Sequence, residues 1–297
     1  MAKARELKRR IRSVQNTRKI TRTMEMVATS KLKRAQDRAI AARPYAQALQ
    51  AAIAELLDPA LAEKYPLLRR PLPPSKGGPS RAAVLLLTSN RGLAGAFNSN
   101  LIKLARKRIE ELESQGYTVE LHASGKKGVK YFQFLKRTLS LARLDIGDKP
   151  TSAHAIELVA PLMAEYEAGR LGSVDVIYAN FKSALSTPPA VLRVLPIESE
   201  APRTAHRSPR TTNYILEPGA DEILSQLLPL YVRNQVYRAL VETAASEQGA
   251  RRTAMKNATD NADDVIAILS RTYNRARQAQ ITQEISEIVG GAAALQG

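Results

Sequence analysis

Between Leu230 and Val289 the chain contains no proline and a single glycine, Gly249. The stretch is rich in Ala, Gln, Glu, Arg and Ile, residues that a helix accepts readily. Read as one helix it is roughly 90 Å long. A compact chain of 297 residues has a radius of gyration of about 19 Å. A helix of that length cannot be enclosed by the rest of the molecule, so it is expected to protrude. Along it Leu269, Tyr273 and Ala276 stand four and three apart, as do Ile281, Ile285 and Ile288, with a step of five between the blocks. That pattern predicts an irregular coiled-coil stripe whose seam drifts. Beyond Arg277 no Lys or Arg follows, and the run from Ile288 to Leu295 is apolar or glycine. Such a tip is expected to enter a protein socket.

A net charge of +17 is placed unevenly. Residues 1–38 hold Arg9, Arg10, Arg12, Arg18, Lys19 and Arg22 among further cations, against only Glu6, Glu25 and Asp37. Residues 253–297 are close to neutral. A basic rod of this kind seeks a polyanion or an acidic protein surface. The chain has no cysteine, which excludes disulfides, zinc–thiolate sites and thiol catalysis and suits a reducing compartment. Its apolar run Ala82–Thr88 is far too short to span a bilayer, and no apolar signal segment follows the basic start. The expectation is a soluble, unexported protein.

Taken in order, Lys3–Leu57 reads as a first long helix that Pro44 kinks or pauses. Leu7, Ile11 and Val14 form one apolar block, and Ile20, Met24 and Val27 another. This seam matches that of the C-terminal helix, so the two helices are natural partners. Asp58–Ser80 carries six prolines and Gly77-Gly78, which predicts an irregular connector. Arg81–Thr212 alternates strand and helix signals. Strands are expected at Ala82–Thr88, Tyr117–Ala123, Val174–Phe181 and Ala190–Ile197, and helices at Phe97–Gln115, Val129–Arg137 and Thr151–Ala168. Pro188-Pro189 is placed at the turn of a terminal hairpin, and Ser199–Thr212 is read as a polar loop. The second long helix is expected from near Ala220, with Pro229 interrupting its first turns.

The predicted fold class is α/β. An antiparallel coiled coil of long N- and C-terminal helices carries an inserted, doubly wound, Rossmann-like α/β domain with a mostly parallel sheet. The expected division is 1–57 first helix, 58–80 connector, 81–212 α/β domain and 213–297 second helix.

The turn from Thr88 to Asn98 joins a strand to a helix through Gly92 and Gly95, so it is tested as a phosphate loop. Its glycines do not make the dinucleotide spacing, and Gly125-Lys126 has Glu120 where a P-loop needs its first glycine. A tight turn needing glycine backbone angles is the better reading. His122, His154 and His206 have no metal-ligand spacing, and Asp260, Asp263 and Asp264 read as ion-pair partners of a basic helix. No nucleophile stands with a base, so no catalytic residue, cofactor or metal is expected. Residues 3–43 contain no Phe, Tyr or Trp to stack on bases. An acidic protein surface is therefore favoured over nucleic acid, which remains the alternative.

The segment from Ile11 to Leu32 resembles the N-terminal helix of the gamma subunit of F-type ATP synthases. The C-terminal segment Tyr237–Leu295 resembles that family's second signature, with Ala-Ser-Glu-Gln before Gly249, Lys256-Asn-Ala-Thr-Asp-Asn261, Tyr273-Asn-Arg-Ala-Arg-Gln278 and Ile281-Thr-Gln-Glu284. The turn Arg91-Gly-Leu-Ala-Gly95 matches the middle domain. The resemblance implies a central rotor shaft coupling rotation of a membrane c-ring to ATP synthesis or hydrolysis on the beta subunits. The implied partners are the alpha and beta subunits, the epsilon subunit and the c-subunit ring, with no nucleic acid and with membrane contact only through the complex. It implies a non-catalytic subunit at the cytoplasmic face of a bacterial membrane.

Carried over by position, Met24, Arg251, Gln278 and Thr282 are expected at or near beta contacts. Lys31, Lys33 and Arg34 are expected on the basic partner-binding face. Asn90 stands where Asp is common in the family, and Gly249 where Ala is usual. An inserted domain makes the helices antiparallel. Charge matching then sets Arg10, Arg12 and Arg18 beside Asp260, Asp263 and Asp264, with Val14 opposite the region of Asp263 to within about one helical turn.

Overall fold

The computed structural model describes residues 2–56, 64–69, 71, 74–77, 80–197 and 220–295; the loop expected at Ser199–Thr212 lies outside them. Its elements in order are α1 Ala2–Leu56, β1 Arg81–Leu87, α2 Phe97–Ser114, β2 Thr118–Ser124 and α3 Lys126–Phe134. There follow β3 Leu141–Arg143, α4 Ser152–Glu167, β4 Leu171–Ala179, β5 Pro189–Leu195 and α5 Ala220–Leu295. A single 3-10 turn at Pro74–Lys76 and hydrogen-bonded turns at Tyr65–Arg69 add local order to the connector, which was expected to be irregular. Neither Pro44 nor Pro229 ends its helix. Pro44 is exposed, so water can reach the carbonyl that its missing N–H leaves unpaired.

The chain forms two compact units, residues 1–29 with 251–297, and residues 30–250. In the first, the two helices pair antiparallel. Arg18 donates to Asp263 at 2.6 Å, and the Thr21 and Thr259 hydroxyls share a buried hydrogen bond of 2.8 Å. Arg18 thus meets the expected aspartate set, and the alignment lies about one turn from the centre of the expected one. Arg18, not Val14, is level with Asp263, and Arg10 turns to Glu6 of its own helix at 2.6 Å. The exposed Arg18–Asp263 pair adds little, about 0–1 kcal/mol. The threonine pair is buried where the ion pair is exposed, and each hydroxyl also has an acceptor on its own helix, the carbonyls of Arg18 and Met255 at 3.0 and 2.9 Å.

The seam does not drift. On α1 Leu7, Ile11, Val14, Arg18, Thr21, Glu25 and Ala28 are covered, with Met24 beside Glu25; on α5 Met255, Thr259, Ala262, Ile266, Leu269, Tyr273, Ala276 and Gln280 are covered, with Ala258 and Ser270 beside them. Both sets step by alternating threes and fours, the regular heptad. Of the expected second block only Met24 is covered, since Ile20 is 60% and Val27 51% exposed. The seam passes through polar and small residues there, which apolar pattern reading does not see.

The second unit holds a five-stranded sheet in the order β3-β2-β1-β4-β5. Its first four strands are parallel, and β5 returns antiparallel to β4. The short β3 was not foreseen; three residues give no readable alternation. Pro188-Pro189 is not the hairpin turn: Lys182–Ser186 makes the turn, and Pro189 opens the edge strand β5, where a missing N–H is tolerated. One face of the sheet packs Val84, Leu86 and Ile177 against Leu101, Ala105 and Ile109 of α2 and Phe132 of α3. The other packs Leu85, Val174 and Val176 against α4 and against Leu49 of α1 and Leu228, Val232 and Val236 of α5. Both long helices thus take part in the core of this unit. Thr151 caps α4, with His154 completing a reciprocal capping pair.

His122 on β2 is buried; neither ring nitrogen has a hydrogen-bond partner among the described residues, and Nε2 lies 3.9 Å from the Glu120 carboxylate. Burial pushes its pKa below the usual 6.5, and the nearby Glu120 offsets part of that. The unfolded chain therefore binds a proton at a higher pH than the folded one. The histidine's contribution to stability is complete above pH 6.5 and is lost as pH falls from there towards its folded value. Thermal melts taken from pH 7.5 downward are expected to show this loss, and His122→Gln is expected to flatten it. An identical pH slope in the variant would assign the loss to other groups.

Candidate functional site

The carboxyl ends of β1, β2 and β3 frame a cavity of about 530 Å³ lined by Thr88, Asn90, Asp145, Asp148, Thr243 and Glu247 among others. This edge is where doubly wound sheets hold ligands. Here its polar groups are largely engaged with one another. Ser89 N–H donates to Asn98 Oδ1 at 3.0 Å, Lys126 N–H to Asn90 Oδ1 at 2.8 Å, and Gly128 N–H to Thr88 Oγ1 at 2.9 Å. The N–H groups that a phosphate would use are therefore taken by side chains. The Arg143 guanidinium clamps Asp145 at 2.8 and 2.7 Å and lowers its pKa to about 2. The turn has left-handed backbone at Leu93 and Gly95, at φ 60° and 56°. This fits the tight-turn reading.

Asn90 gains a specific role. Its amide donates to the carbonyls of Leu144 and Ile146 at 2.9 and 3.0 Å while its oxygen caps α3. A carboxylate could make the cap but not the two donations.

The second concentration of buried polar groups lies where α1 and α5 meet this edge. Every residue of α5 from Val241 to Gly249 is buried, including Glu242, Thr243, Ser246, Glu247 and Gln248. Ser246 donates to the Ala179 carbonyl at 3.2 Å, and Thr243 accepts from Ala179 N–H at 3.3 Å. The Ala184 carbonyl lies 3.2 Å from where a Cβ on Gly249 would sit. That close approach is what glycine permits at this point of the helix. Leu32 and Ala35 of α1 close the same cluster with Phe181 and Ala245.

Of the residues singled out in the sequence, Lys31 is turned inward and donates to Asp148 at 2.5 Å. Lys33 is exposed and pairs with Asp37 of its own helix at 2.8 Å, and Arg34 is exposed beside Ser30. Met24 is half-buried and Arg251 is buried with a partner. Gln278 and Thr282 stand one turn apart on an exposed stretch of α5, some 40 Å along the helix from Arg251. The structure thus groups Gln278 with Thr282 and sets Arg251 apart from them. Asp148, Thr243, Ser246 and Gln248 were not foreseen as a group. The readable sign was a helix segment with small residues, Ala244, Ala245, Ser246 and Gly249, spaced for close approach.

From Ile281 onward α5 is exposed on every described side, with Ile281 at 46%, Ile285 at 56%, Ile288 at 72% and Val289 at 62%. No helix among the described residues is long and apolar enough to cross a membrane.

Two long terminal helices paired antiparallel, an α/β domain inserted between them in the chain and a bare apolar helix end define a coiled-coil protein with an inserted α/β domain. The chain belongs to the ATP synthase gamma chain family: the ATP synthase family profile matches residues 3–295. It is 59% identical over 298 residues to the ATP synthase gamma chain of Gemmatimonas aurantiaca, covering 100% of both chains. It is 44% identical to that of Desulfitobacterium hafniense, again over 100% of both. Among solved structures, it is similar to a chain of the Euglena gracilis mitochondrial ATP synthase OSCP/F1/c-ring assembly, with a TM-score of 0.66 at 18% identity over 99% of this chain and 95% of that one. A chain of the Tetrahymena thermophila mitochondrial central stalk and c-ring matches with a TM-score of 0.55 at 22% identity, covering 80% and 99%. At those identities the likeness speaks for the fold. Nothing among these relatives supports the nucleic-acid alternative.

Proposed function

We propose that this chain is the non-catalytic rotor shaft of a bacterial, proton-translocating F-type ATP synthase. It acts at the cytoplasmic face of the membrane and is held there only through the complex. The helix pair turns inside the ring of alpha and beta subunits, and the α/β domain is the foot that meets the epsilon subunit and the c-ring. Met24, Lys33, Arg34, Arg251, Gln278 and Thr282 are the shaft residues proposed to act at or near beta.

The observation that carries this reading is the end of α5. Four large apolar residues stand bare beyond the last covered seam position, in a stretch without Lys or Arg. A contiguous apolar surface of this kind implies a partner, and a helix whose only charges here are Glu284 and Glu287, each accepting from a glutamine of its own helix, fits a largely apolar sleeve. The Ile285→Lys/Ile288→Lys variant tests it. Both positions are exposed, so the melting temperature of the free chain is expected to be unchanged. Its affinity for reconstituted alpha–beta hexamers is expected to fall at least tenfold, since a lysine in an apolar sleeve must be desolvated. Deletion of residues 292–297 is expected to leave assembly and much of the ATPase activity. Wild-type affinity in the double lysine variant would overturn the sleeve.

A further inference from the structure

We infer that Asp148 is a positioning residue that fixes the torsional stiffness of the shaft where it meets the foot. The inference rests on the rotor reading and adds a site to it. Asp148 lies on the loop between β3 and α4. Its carboxylate accepts from Lys31 of α1 at 2.5 Å and from Gln248 of α5 at 3.3 Å, and its backbone carbonyl accepts from Arg38 of α1 at 3.2 Å. One residue of the foot thus holds both shaft helices at once.

The rest of that junction is built differently. Leu32, Ala35, Phe181 and Ala245 pack as apolar surface, and apolar burial is non-directional. Such contacts resist separation but let a helix roll against its neighbour. The Thr243 and Ser246 contacts to Ala179 are directional, but they hold α5 alone. A turning load on the foot would therefore be shared unequally between the helices without a link to α1. Asp148 supplies that link through a charged hydrogen bond with defined geometry. Its side chain and that of Lys31 are 29% and 28% exposed, so the pair is shielded from full solvent screening. This also explains why Lys31 leaves the outward basic face on which its sequence position placed it.

The test uses reconstituted complexes of alpha, beta and this chain, fixed to a surface, with a bead on the foot. The chain has no cysteine, so Lys107→Cys on the exposed face of α2 gives a single attachment point. The angular variance of the bead in the ATP-waiting pause reports torsional compliance. Asp148→Asn and Lys31→Gln are each expected to raise that variance at least twofold, with ATP hydrolysis within twofold of wild type. The charge swap Lys31→Asp/Asp148→Lys is expected to bring the variance back towards wild type, which general damage to the foot would not do. Unchanged variance in both single variants, or a rise that the swap leaves untouched, would overturn the latch. A wild-type bead that never rotates would instead remove the rotor reading itself.

Discussion

Asp175→Ala is expected to destabilise the α/β unit by about 3–5 kcal/mol, the cost of stranding buried charges by removing their partner. Asp175 is fully buried in the centre of β4. Arg108 of α2 donates to it at 2.7 Å, and Arg193 of β5 donates at 2.9 and 3.2 Å. The carboxylate therefore ties a helix to two strands and balances two guanidinium groups that are themselves largely covered, at 17% and 34% exposure. Alanine leaves both cations facing each other across a void. In a unit of this size the loss corresponds to a fall in melting temperature of roughly 10 °C, read by circular dichroism at neutral pH. Replacing all three residues together by Met, Leu and Met is expected to recover most of it, because an apolar triad can match a buried ionic one. A fall of under about 3 °C in Asp175→Ala would mean that water reaches the site and the cluster is not holding the layers together.

Asp175 also shows where sequence reading ends. The segment around it, from Val174 to Phe181, was legible as a strand, but an aspartate inside an apolar strand gives no hint of its partners. Those partners lie 67 and 18 residues away, and only the sheet order brings them together. The long helices and the strand–helix alternation were legible because their signals are local: absent glycine and proline, apolar runs, caps. The heptad seam was half legible. Leu7, Ile11 and Val14 announced it, but Arg18, Thr21 and Glu25 hid its continuation, and Ile20 and Val27 offered a false one. The bare tip was legible from its composition. The Asp148 junction was not, because three separate segments meet there and each alone reads as an ordinary charged or polar stretch. Lys31 is the clearest case: nothing in its neighbourhood distinguishes it from Lys33, yet one turns in and the other out.

Gly125→Ala is expected to cost more than any exposed glycine substitution in the chain, at least about 4 kcal/mol, a size that requires a specific mechanism. Two are present. The residue sits at φ 98° and ψ 136°, outside the small left-handed well open to other residues, so only glycine holds this backbone without strain. A Cβ there would also lie 2.0 Å from the Thr88 carbonyl oxygen and 2.5 Å from its carbon. Both are backbone atoms and cannot swing aside. Thr88 N–H donates to the Ser124 carbonyl at 2.8 Å, and Gly125 N–H donates to the Arg143 carbonyl at 2.8 Å. Relieving the clash by opening the turn would break both links, which join the ends of β1, β2 and β3. Gly169→Ala separates the two mechanisms. Gly169 also has a positive φ, 71°, but nothing lies within 4 Å of its Cβ position. It is expected to lose only the left-handed penalty, about 1–2 kcal/mol. Urea melts of the two variants measure the gap directly. Equal losses would show that Thr88 moves away freely, and that the carboxyl edge of the sheet is looser than its hydrogen bonds imply.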